Sequence, residues 1–206
     1  CPVVVTIHDL IPLLLPAYRG GLLQRGYTWL VSRTARRAAA VLADSEASRQ
    51  DVVRHLHIAP ERVHAVHLAA DPRFRRVTDE ATLRRVRERY ALPCEPFLLY
   101  LGGFDVRKNL ARTLEAYAQL VQRLSAEARA IPRLVIAGKL PAADSAFAPD
   151  PQPIIARLAL ADYVHLTGWV DEADKPALYT LAAGTLFISE YEGFGLPVLE
   201  AMACDG

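Results

Sequence analysis

Residues 97–109, Phe97-Leu-Leu-Tyr-Leu-Gly-Gly-Phe-Asp-Val-Arg-Lys-Asn109, decide the fold of this chain. Five apolar residues before a pair of glycines predict a buried strand, and the periodicity after Asn109 predicts a long helix. A strand that turns through glycines into a helix is the opening unit of a nucleotide-binding parallel sheet. Two glycines alone are weak evidence for that role, so the rest of the chain has to support it.

The same alternation of short apolar runs and longer amphipathic stretches continues along all 206 residues. It predicts strands at Val3–His8, Ala40–Asp44, Val63–His67, Phe97–Leu101, Leu134–Ala137, Tyr163–Leu166 and Thr185–Ser189. It predicts helices over 21–39, 45–56, 79–90, 109–127, 151–160, 173–182 and 197–203. The predicted fold class is therefore α/β with parallel sheets.

The composition is that of a globular chain, with 52% hydrophobic and 23% charged residues. No charge-free apolar stretch is about 18 residues long, and the start lacks the basic leader of a signal peptide, so we expect a cytoplasmic protein. Cys1, Cys94 and Cys204 are odd in number and far apart. This spacing favours free thiols over a disulfide framework or a metal site.

Charge divides the chain into two parts. Residues 1–95 carry 15 arginines against 10 acidic residues, whereas residues 96–206 carry 9 basic and 13 acidic residues. The segment Leu92-Pro-Cys-Glu-Pro96, with two prolines, is typical of a linker, and a new predicted strand follows it. We therefore predict two domains, 1–95 and 96–206. The chain starts inside a strand and ends directly after a helix, so we expect both domains to be incomplete.

The strongest chemical signal is the string Ser189-Glu-Tyr-Glu-Gly-Phe-Gly-Leu-Pro-Val-Leu-Glu-Ala-Met-Ala203. An apolar strand runs into a turn with two glycines, and a helix starts near Pro197. Free backbone N–H groups at such a turn can bind phosphate. Carboxylates repel phosphate, so at a ligand site Glu192 and Glu200 would accept hydrogen bonds from sugar hydroxyls. For either glutamate taken alone, a structural explanation is favoured: Gly193–Pro197 is then simply a tight strand-to-helix turn, and Glu200 an exposed helix residue.

The full string strongly resembles the Glu, seven residues, Glu motif of the retaining glycosyltransferases of family 4, also called group 1. The resemblance covers nearly the whole chain through Val4–Leu10, Ala43–Arg49, Pro60–Val63, Leu101–Asn109 and Leu166–Val170. It implies the GT-B fold of two Rossmann-like parallel-sheet domains. Periodicity by itself predicts only α/β.

The resemblance also implies a catalytic set. Lys108 would bind the donor diphosphate, and its rarity as one of only three lysines agrees with a special role. His8 would line the donor-sugar pocket opposite the second domain, and Glu192 would hold the donor sugar. Members of the family commonly place an arginine directly after the first glycine, where this chain has Gly103; we expect Arg107 to substitute for it.

The resemblance implies further residues that bind the donor. Glu200 would bind the ribose, and the main chain of Gly168 and Val170 would contact the nucleobase. The indole of Trp169 is expected to pack in the core. The implied donor-binding set is Gly102, Gly103, Arg107, Gly168, Val170, Gly193, Phe194, Gly195, Leu196 and Glu200.

The implied activity is retaining transfer of a sugar from GDP-mannose or a UDP-sugar to a hydroxyl acceptor, in polysaccharide or glycolipid synthesis. The acceptor would be a glycan or lipid-linked, and the Arg-Lys-Asn pattern favours mannose. No Asp-x-Asp pair stands at a strand end to hold a metal, so we expect no metal or cofactor, and no nucleic-acid partner.

Two other functions stay open. The chain could be a non-catalytic nucleotide-sugar-binding fragment. A GT-B epimerase or phosphorylase ranks last, because no pyridoxal-phosphate lysine signature is present and epimerases usually lack the Glu-to-Glu string. Helix 21–39, with Arg25, Arg33, Arg36 and Arg37, is a candidate for peripheral contact with the inner membrane face, and equally for a packed helix with a solvated face.

Overall fold

A computed structural model describes the whole chain, Cys1–Gly206, as strands alternating with helices. The strands are β1 Val4–Ile7, β2 Ala40–Ala43, β3 Val63–Ala65, β4 Phe97–Leu101, β5 Arg133–Ala137, β6 Val164–Gly168 and β7 Gly184–Thr185. The helices are α1 Ile11–Leu14, α2 Leu22–Ala35, α3 Glu46–Leu56, α4 Glu80–Arg89, α5 Leu110–Ala126, α6 Pro151–Arg157, α7 Lys175–Leu181 and α8 Leu196–Ala203. Every predicted strand and helix is present, and α1 is an addition.

The two largest errors in the predicted bounds concern helix 21–39, since α2 already ends at Ala35, and the last strand. The predicted range of the last strand, Thr185–Ser189, extends four residues beyond the end of β7 at Thr185. One further ladder bond, from the Leu186 N–H to the Leu99 carbonyl, spans 2.7 Å. The apolar run past this point therefore continues as irregular chain, which periodicity cannot separate from a strand.

The first sheet has the order β1-β2-β3, and all of its strands are parallel. Val41 and Val63 pack beneath α3 through Val52 and Leu56, all of them buried. Residues Cys1–Ala69 and Tyr191–Leu196 form this first compact unit. Ile7 and Ala43 are register partners at the carboxyl ends of β1 and β2, which places the residues that follow them side by side.

The second sheet has the order β6-β5-β4-β7, again parallel throughout. Successive β4 residues point to opposite faces: Phe97 and Leu99 enter one hydrophobic cluster, and Leu98 and Tyr100 enter the other. Helices therefore cover both faces of the sheet, and this explains why β4 reads as an unbroken apolar run.

The second compact unit comprises Ala70–Glu190 and Pro197–Gly206, so it begins before the predicted boundary near residue 95. The reason lies in α4, which packs on α7. Arg85 and Arg89 on α4 each bind the buried carboxylate of Asp174, at 2.8 and 2.7 Å. The Tyr90 hydroxyl donates to the same carboxylate at 2.9 Å. The basic helix is thus tied to the second sheet rather than to the first.

Cys1, Cys94 and Cys204 are all free thiols, as predicted. None of the helices combines the length and the apolar character needed to cross a lipid bilayer.

Candidate functional site

His8 and Asp44 lie together at the carboxyl edge of the first sheet. Each follows the last residue of its strand, and those strands are adjacent and parallel, so the two side chains emerge at the same edge. The His8 Nδ1 atom is 2.8 Å from Asp44 Oδ2. The Asp44 side chain is only 8% exposed, whereas that of His8 is 73% exposed. The imidazole is therefore held at one nitrogen and open elsewhere.

The Tyr191–Leu196 segment, predicted to lie in the second domain, makes its contacts within the first unit. The Ser45 and Ser48 hydroxyls both donate to the Gly193 carbonyl, at 2.6 and 2.8 Å. A Cβ at position 193 would lie 2.2 Å from the His8 carbonyl oxygen, so only glycine fits there. Ser45 also caps α3 by accepting the Ser48 N–H.

Two aromatic side chains anchor the same segment. The Tyr191 hydroxyl donates to Asp51 at 2.6 Å. The Phe194 ring lies 6.1 Å from the ring of His67, centroid to centroid. Glu192, between these anchors, is partly buried. The loop that carries the first glutamate of the motif is therefore fixed on both sides.

Lys108 occupies the end of a 3-10 turn, Val106–Lys108, that joins β4 to α5 in the second unit. Its Nζ atom lies 5.4 Å from the centre of the Phe187 ring, within cation–π range. The next residue, Asn109, adopts a left-handed conformation with φ of 60°, which asparagine tolerates better than most residues. Its side-chain amide donates to the Ile188 carbonyl at 3.4 Å.

Arg107 is the most enclosed cation of this group. Its side chain is 12% exposed, and its Nε atom lies 3.4 Å from Asp105 Oδ1. Its carbonyl oxygen accepts the Glu190 N–H at 2.8 Å. The neighbouring cavity of about 320 Å³, lined in part by Asp105, Asn109 and Glu190, falls in the size range of small-molecule sites.

The glycine pair after β4 is held by main-chain contacts. The Gly102 N–H donates to the Ala137 carbonyl at 3.1 Å, and the Gly103 carbonyl accepts the Tyr100 hydroxyl at 2.8 Å. A Cβ on Gly138 would lie 2.3 Å from the Gly102 carbonyl oxygen, so the turn depends on a glycine at 138. Around Gly102 itself the space for a Cβ is open.

Glu200 lies on α8, where Tyr179 of α7 donates a hydrogen bond to its Oε2 atom at 3.3 Å. Burial raises the pKa of the Glu200 carboxyl above its ordinary value, although the Lys175 charge and the bond from Tyr179 act in the opposite direction. Burial also raises the pKa of the Tyr179 hydroxyl, which is completely enclosed. Glu200 is therefore a held, half-buried group and not a free surface residue.

Gly168 and Val170 end β6 and begin the loop after it. Gly168 has a φ of 71°, and its carbonyl accepts the Gly138 N–H at 2.9 Å. Val170 is buried as a whole residue, at 4% exposure, in the hydrophobic core of the second unit. The prediction that Trp169 packs in the core is wrong, because the turn directs its side chain outward and leaves the residue 63% exposed.

The structure brings the predicted residues together within each unit: His8 with Gly193 in the first, and Lys108 with Arg107 in the second. Sequence reasoning missed Asp44, Ser48, Asn109 and Tyr179 as supports of these residues. For Asp44 a signal existed, because it directly follows β2 just as His8 directly follows β1. The role of Tyr179 had no such signal, since Tyr179 reads as an ordinary core residue.

Comparison with known families adds to this geometry. A family model described as "Glycosyl transferases group 1" matches residues 85–206, and one described as "Glycosyltransferase Family 4" matches residues 1–74. The chain belongs to the group 1 glycosyl transferases. The predicted membership is confirmed, and both Lys108 and Glu200 lie in the part matched by the first of these models.

Individual relatives agree with that assignment. Alpha-D-kanosaminyltransferase from Streptomyces kanamyceticus is 32% identical over 84% of this chain and 42% of its own. The serotype-specific mannosyltransferase WbdA from Escherichia coli is 33% identical over 98% of this chain and 24% of its own. The chain therefore spans half or less of the length of these relatives.

The fold has solved counterparts. The crystal structure of HepE from Anabaena in complex with UDP superposes with a TM-score of 0.72 at 19% identity, over 98% of this chain and 51% of that one. The predicted GT-B fold of two parallel-sheet units is confirmed.

Metal independence stays a prediction. Among all residues of the chain, no three or more His, Cys, Asp or Glu side chains are grouped so that they could share a metal ion.

Proposed function

We propose that this group 1 glycosyl transferase chain moves a sugar from a nucleoside-diphosphate sugar to a hydroxyl acceptor with retention of anomeric configuration. The observation that carries the proposal is Glu200, which is held by Tyr179 within the segment that matches the family model. A held carboxylate next to a buried hydroxyl suits a ribose, which presents paired hydroxyl donors.

The roles of Lys108 and of the amides of 193–196 follow from the charge that develops during sugar transfer. Transfer breaks the bond between the anomeric carbon and the donor phosphate oxygen, and the electron pair leaves with the diphosphate. The anomeric carbon then bonds to the acceptor oxygen, which releases its proton. Negative charge grows on the diphosphate, so the Lys108 ammonium and the amides of 193–196 stabilise the transition state more than the ground state.

Arg107 supports this arrangement differently from Lys108. It is proposed as the second cation at the leaving diphosphate, with part of its charge offset by Asp105. His8 and Glu192 are proposed to bind the transferred sugar, and the main chain at Gly168 and Val170 the nucleobase. The main chain at Gly102 and Gly103 is also proposed to bind the donor. The space around Gly102 is open, whereas a Cβ at Gly103 would lie 3.2 Å from Asp105 Oδ2.

GDP-mannose and UDP-sugars are the two proposed donor classes. Relatives named as mannosyltransferases, such as WbdA, favour the first, and the UDP complex of HepE favours the second. The acceptor is proposed to be a growing glycan or a lipid-linked glycan, since one relative is named as an O-antigen chain mannosyltransferase and another as a transferase acting on a diphospho-undecaprenol-linked sugar.

A peripheral contact with an anionic membrane is proposed for α2. Residues 10–43 contain five arginines and no acidic residue. On α2, Leu22, Leu23, Tyr27, Trp29 and Leu30 are exposed, and only Ala35 is buried. The hydroxyls of Thr28, Ser32 and Thr34 donate to carbonyls one turn earlier, so they need no water. Exposed apolar side chains beside arginines match an anionic lipid surface.

The site proposal is tested by calorimetric titration of the chain with GDP, UDP and ADP. We expect micromolar binding of GDP or UDP, and roughly a hundredfold weaker binding in Lys108→Ala and Glu200→Ala. Lys139→Ala, which removes an exposed lysine outside the site, is the matched control and should bind like the parent. No binding by a folded chain would overturn the donor-site assignment. Binding of a nucleotide sugar without sugar transfer would favour the binding-module alternative.

A further inference from the structure

The pair formed by His8 and Asp44 carries an inference beyond the proposed function. We propose that Asp44 is a positioning residue that fixes the tautomer of His8, so that the Nε2 lone pair faces outward and accepts a hydrogen bond from a hydroxyl of the donor sugar. The proposal rests on the proposed function, because His8 is there assigned to the sugar. No role was assigned to Asp44 from the sequence.

The tautomer follows from the contact between the two residues. Asp44 Oδ2 lies 2.8 Å from His8 Nδ1. A carboxylate oxygen only accepts hydrogen bonds, so the proton of a neutral imidazole sits on Nδ1. Nε2 then keeps its lone pair and is an acceptor. A sugar hydroxyl is a suitable donor, whereas a second acceptor such as a phosphate oxygen is not.

The burial of the two partners is unequal, and this inequality supports a positioning role. The Asp44 side chain is almost enclosed, whereas the imidazole is exposed on the side away from it. A buried carboxylate costs free energy unless it is hydrogen-bonded. The hydrogen bond from His8 gives the buried Asp44 carboxylate a donor. The same bond prevents the imidazole ring from rotating. An exposed histidine without such a partner would populate several rotamers and both tautomers.

The main chain of His8 is held as firmly as its ring. Gly193 packs directly on the His8 carbonyl oxygen, where a Cβ would come within 2.2 Å. The buried Ser48 hydroxyl lies 3.4 Å from the same carbonyl. Because main chain and ring are both fixed before ligand arrives, little conformational entropy remains to be lost on binding. Asp44 supplies the ring part of this preorganisation.

The tautomer is measured directly by long-range proton–nitrogen NMR of the imidazole rings, recorded at a pH where histidines are neutral. His165 provides an internal reference, since its Nε2 atom lies 2.8 Å from the Tyr90 carbonyl and must carry the proton. We expect the opposite pattern, Nδ1–H, for His8, whose signal is assigned by its loss in His8→Gln. An Nε2–H pattern for His8 in the parent chain would overturn the proposal.

Variants test the cause. In Asp44→Asn the His8 tautomers should approach an even mixture, because an amide can either donate or accept. Glu46→Gln, the same chemical change two residues away on an exposed position, should leave His8 unchanged. An unaltered His165 pattern shows that the fold is intact. If the His165 pattern is lost in Asp44→Asn, that variant has not folded, and Asp44→Ser, with its smaller side chain, is measured instead. An unchanged His8 tautomer in a folded variant would overturn the proposal.

Calorimetry separates this proposal from the proposed function. Asp44→Asn should bind the nucleoside diphosphate like the parent but bind the corresponding nucleotide sugar roughly tenfold more weakly, because only the sugar reaches His8. Equal affinity of parent and variant for the nucleotide sugar would overturn the role of Asp44 and leave the donor site standing. If the parent bound no nucleotide while His8 was still in the Nδ1–H form, the donor-site assignment would be overturned. Only the statement that Asp44 fixes the His8 tautomer would then remain.

Discussion

The hydroxyl of Tyr179 donates a hydrogen bond to the carboxylate of Glu200 at 3.3 Å, from a side chain that is completely buried. Tyr179 is thus both a core residue of the second unit and the support of the second motif glutamate. Removing only the hydroxyl separates the two roles, because the ring stays in place.

We expect Tyr179→Phe to weaken nucleotide binding about fivefold, the usual net effect of one lost hydrogen bond. Calorimetric titration with GDP or UDP measures it. Tyr117→Phe is the matched control, since the Tyr117 hydroxyl also donates in the same unit but to the Pro132 carbonyl, at 2.7 Å. An affinity loss that is equal in both variants would show a general effect on folding instead.

Binding should depend on the protonation of Glu200. Burial, the largest influence, raises the pKa of this carboxyl above its ordinary value of 4.5. The ionised form accepts ribose hydroxyls best, so nucleotide affinity should fall as the pH falls through that raised pKa. Titrations across mildly acidic pH should show this decline in the parent, and Glu200→Gln should bind weakly with a flat profile. A decline that persists in Glu200→Gln would assign the titration to another group.

The same pKa has the opposite consequence for folding. A carboxyl whose pKa is raised in the folded state contributes stability below its unfolded pKa, and loses it as the pH rises through the folded value. Glu200→Gln should therefore leave the free energy of unfolding at neutral pH unchanged or slightly higher. Denaturant unfolding at two pH values measures it, and a clear loss at neutral pH would contradict the assigned direction.

Position 193 should reject any side chain. Gly193→Ala would place a methyl group 2.2 Å from the His8 carbonyl oxygen, so the loop has to move. We expect loss of nucleotide-sugar binding with little change in melting temperature, because the loop lies outside the hydrophobic cores. Gly26→Ala, where the added Cβ meets nothing within 4 Å in the middle of α2, should instead stabilise the chain by about 1 kcal/mol. Normal binding by Gly193→Ala would contradict the predicted close contact.

The buried carboxylate of Asp174 should stabilise the second unit. Burial acts to raise its pKa, but hydrogen bonds from Arg85 and Tyr90 lower it overall. This stabilisation is therefore present above the unfolded pKa and is lost as the pH falls. Asp174→Asn should cost about 2 kcal/mol of unfolding free energy at neutral pH, since charged donors lose their partner.

Chemical denaturation of the variant at neutral and acidic pH measures this cost, which should shrink at low pH. Glu127→Gln is the control, because its pair with Arg123 lies on the helix surface and contributes little. A similar small effect of both substitutions would show that the α4 contacts add no net stability.

Lipid binding through α2 should depend on its apolar face and on charge. Leu23 is 93% exposed, and Leu23→Glu should weaken binding to phosphatidylglycerol vesicles about tenfold, as expected for the loss of one buried leucine. Flotation of the chain with anionic and with phosphatidylcholine vesicles measures the effect. Val66→Glu, at an exposed apolar position outside α2, should bind like the parent. Equal binding to anionic and to phosphatidylcholine vesicles would contradict the proposal that the arginines attract the chain to anionic lipid.

The sequence by itself determined the α/β class, the seven strands and the seven longer helices, because each depends on local periodicity. It also determined the family, since the string from Ser189 to Ala203 is short, contiguous and specific. His8, Lys108 and Glu200 could be named as candidates for the same reason.

Only the tertiary structure decided what holds those candidates. Asp44 meets His8 because two strands 36 positions apart pair in parallel register, and Tyr179 meets Glu200 because α7 packs beside α8. The structure also assigned α4 to the second unit through Asp174, and Tyr191–Leu196 to the first through Gly193. Such contacts join residues that are distant along the chain, and local periodicity carries no information about them.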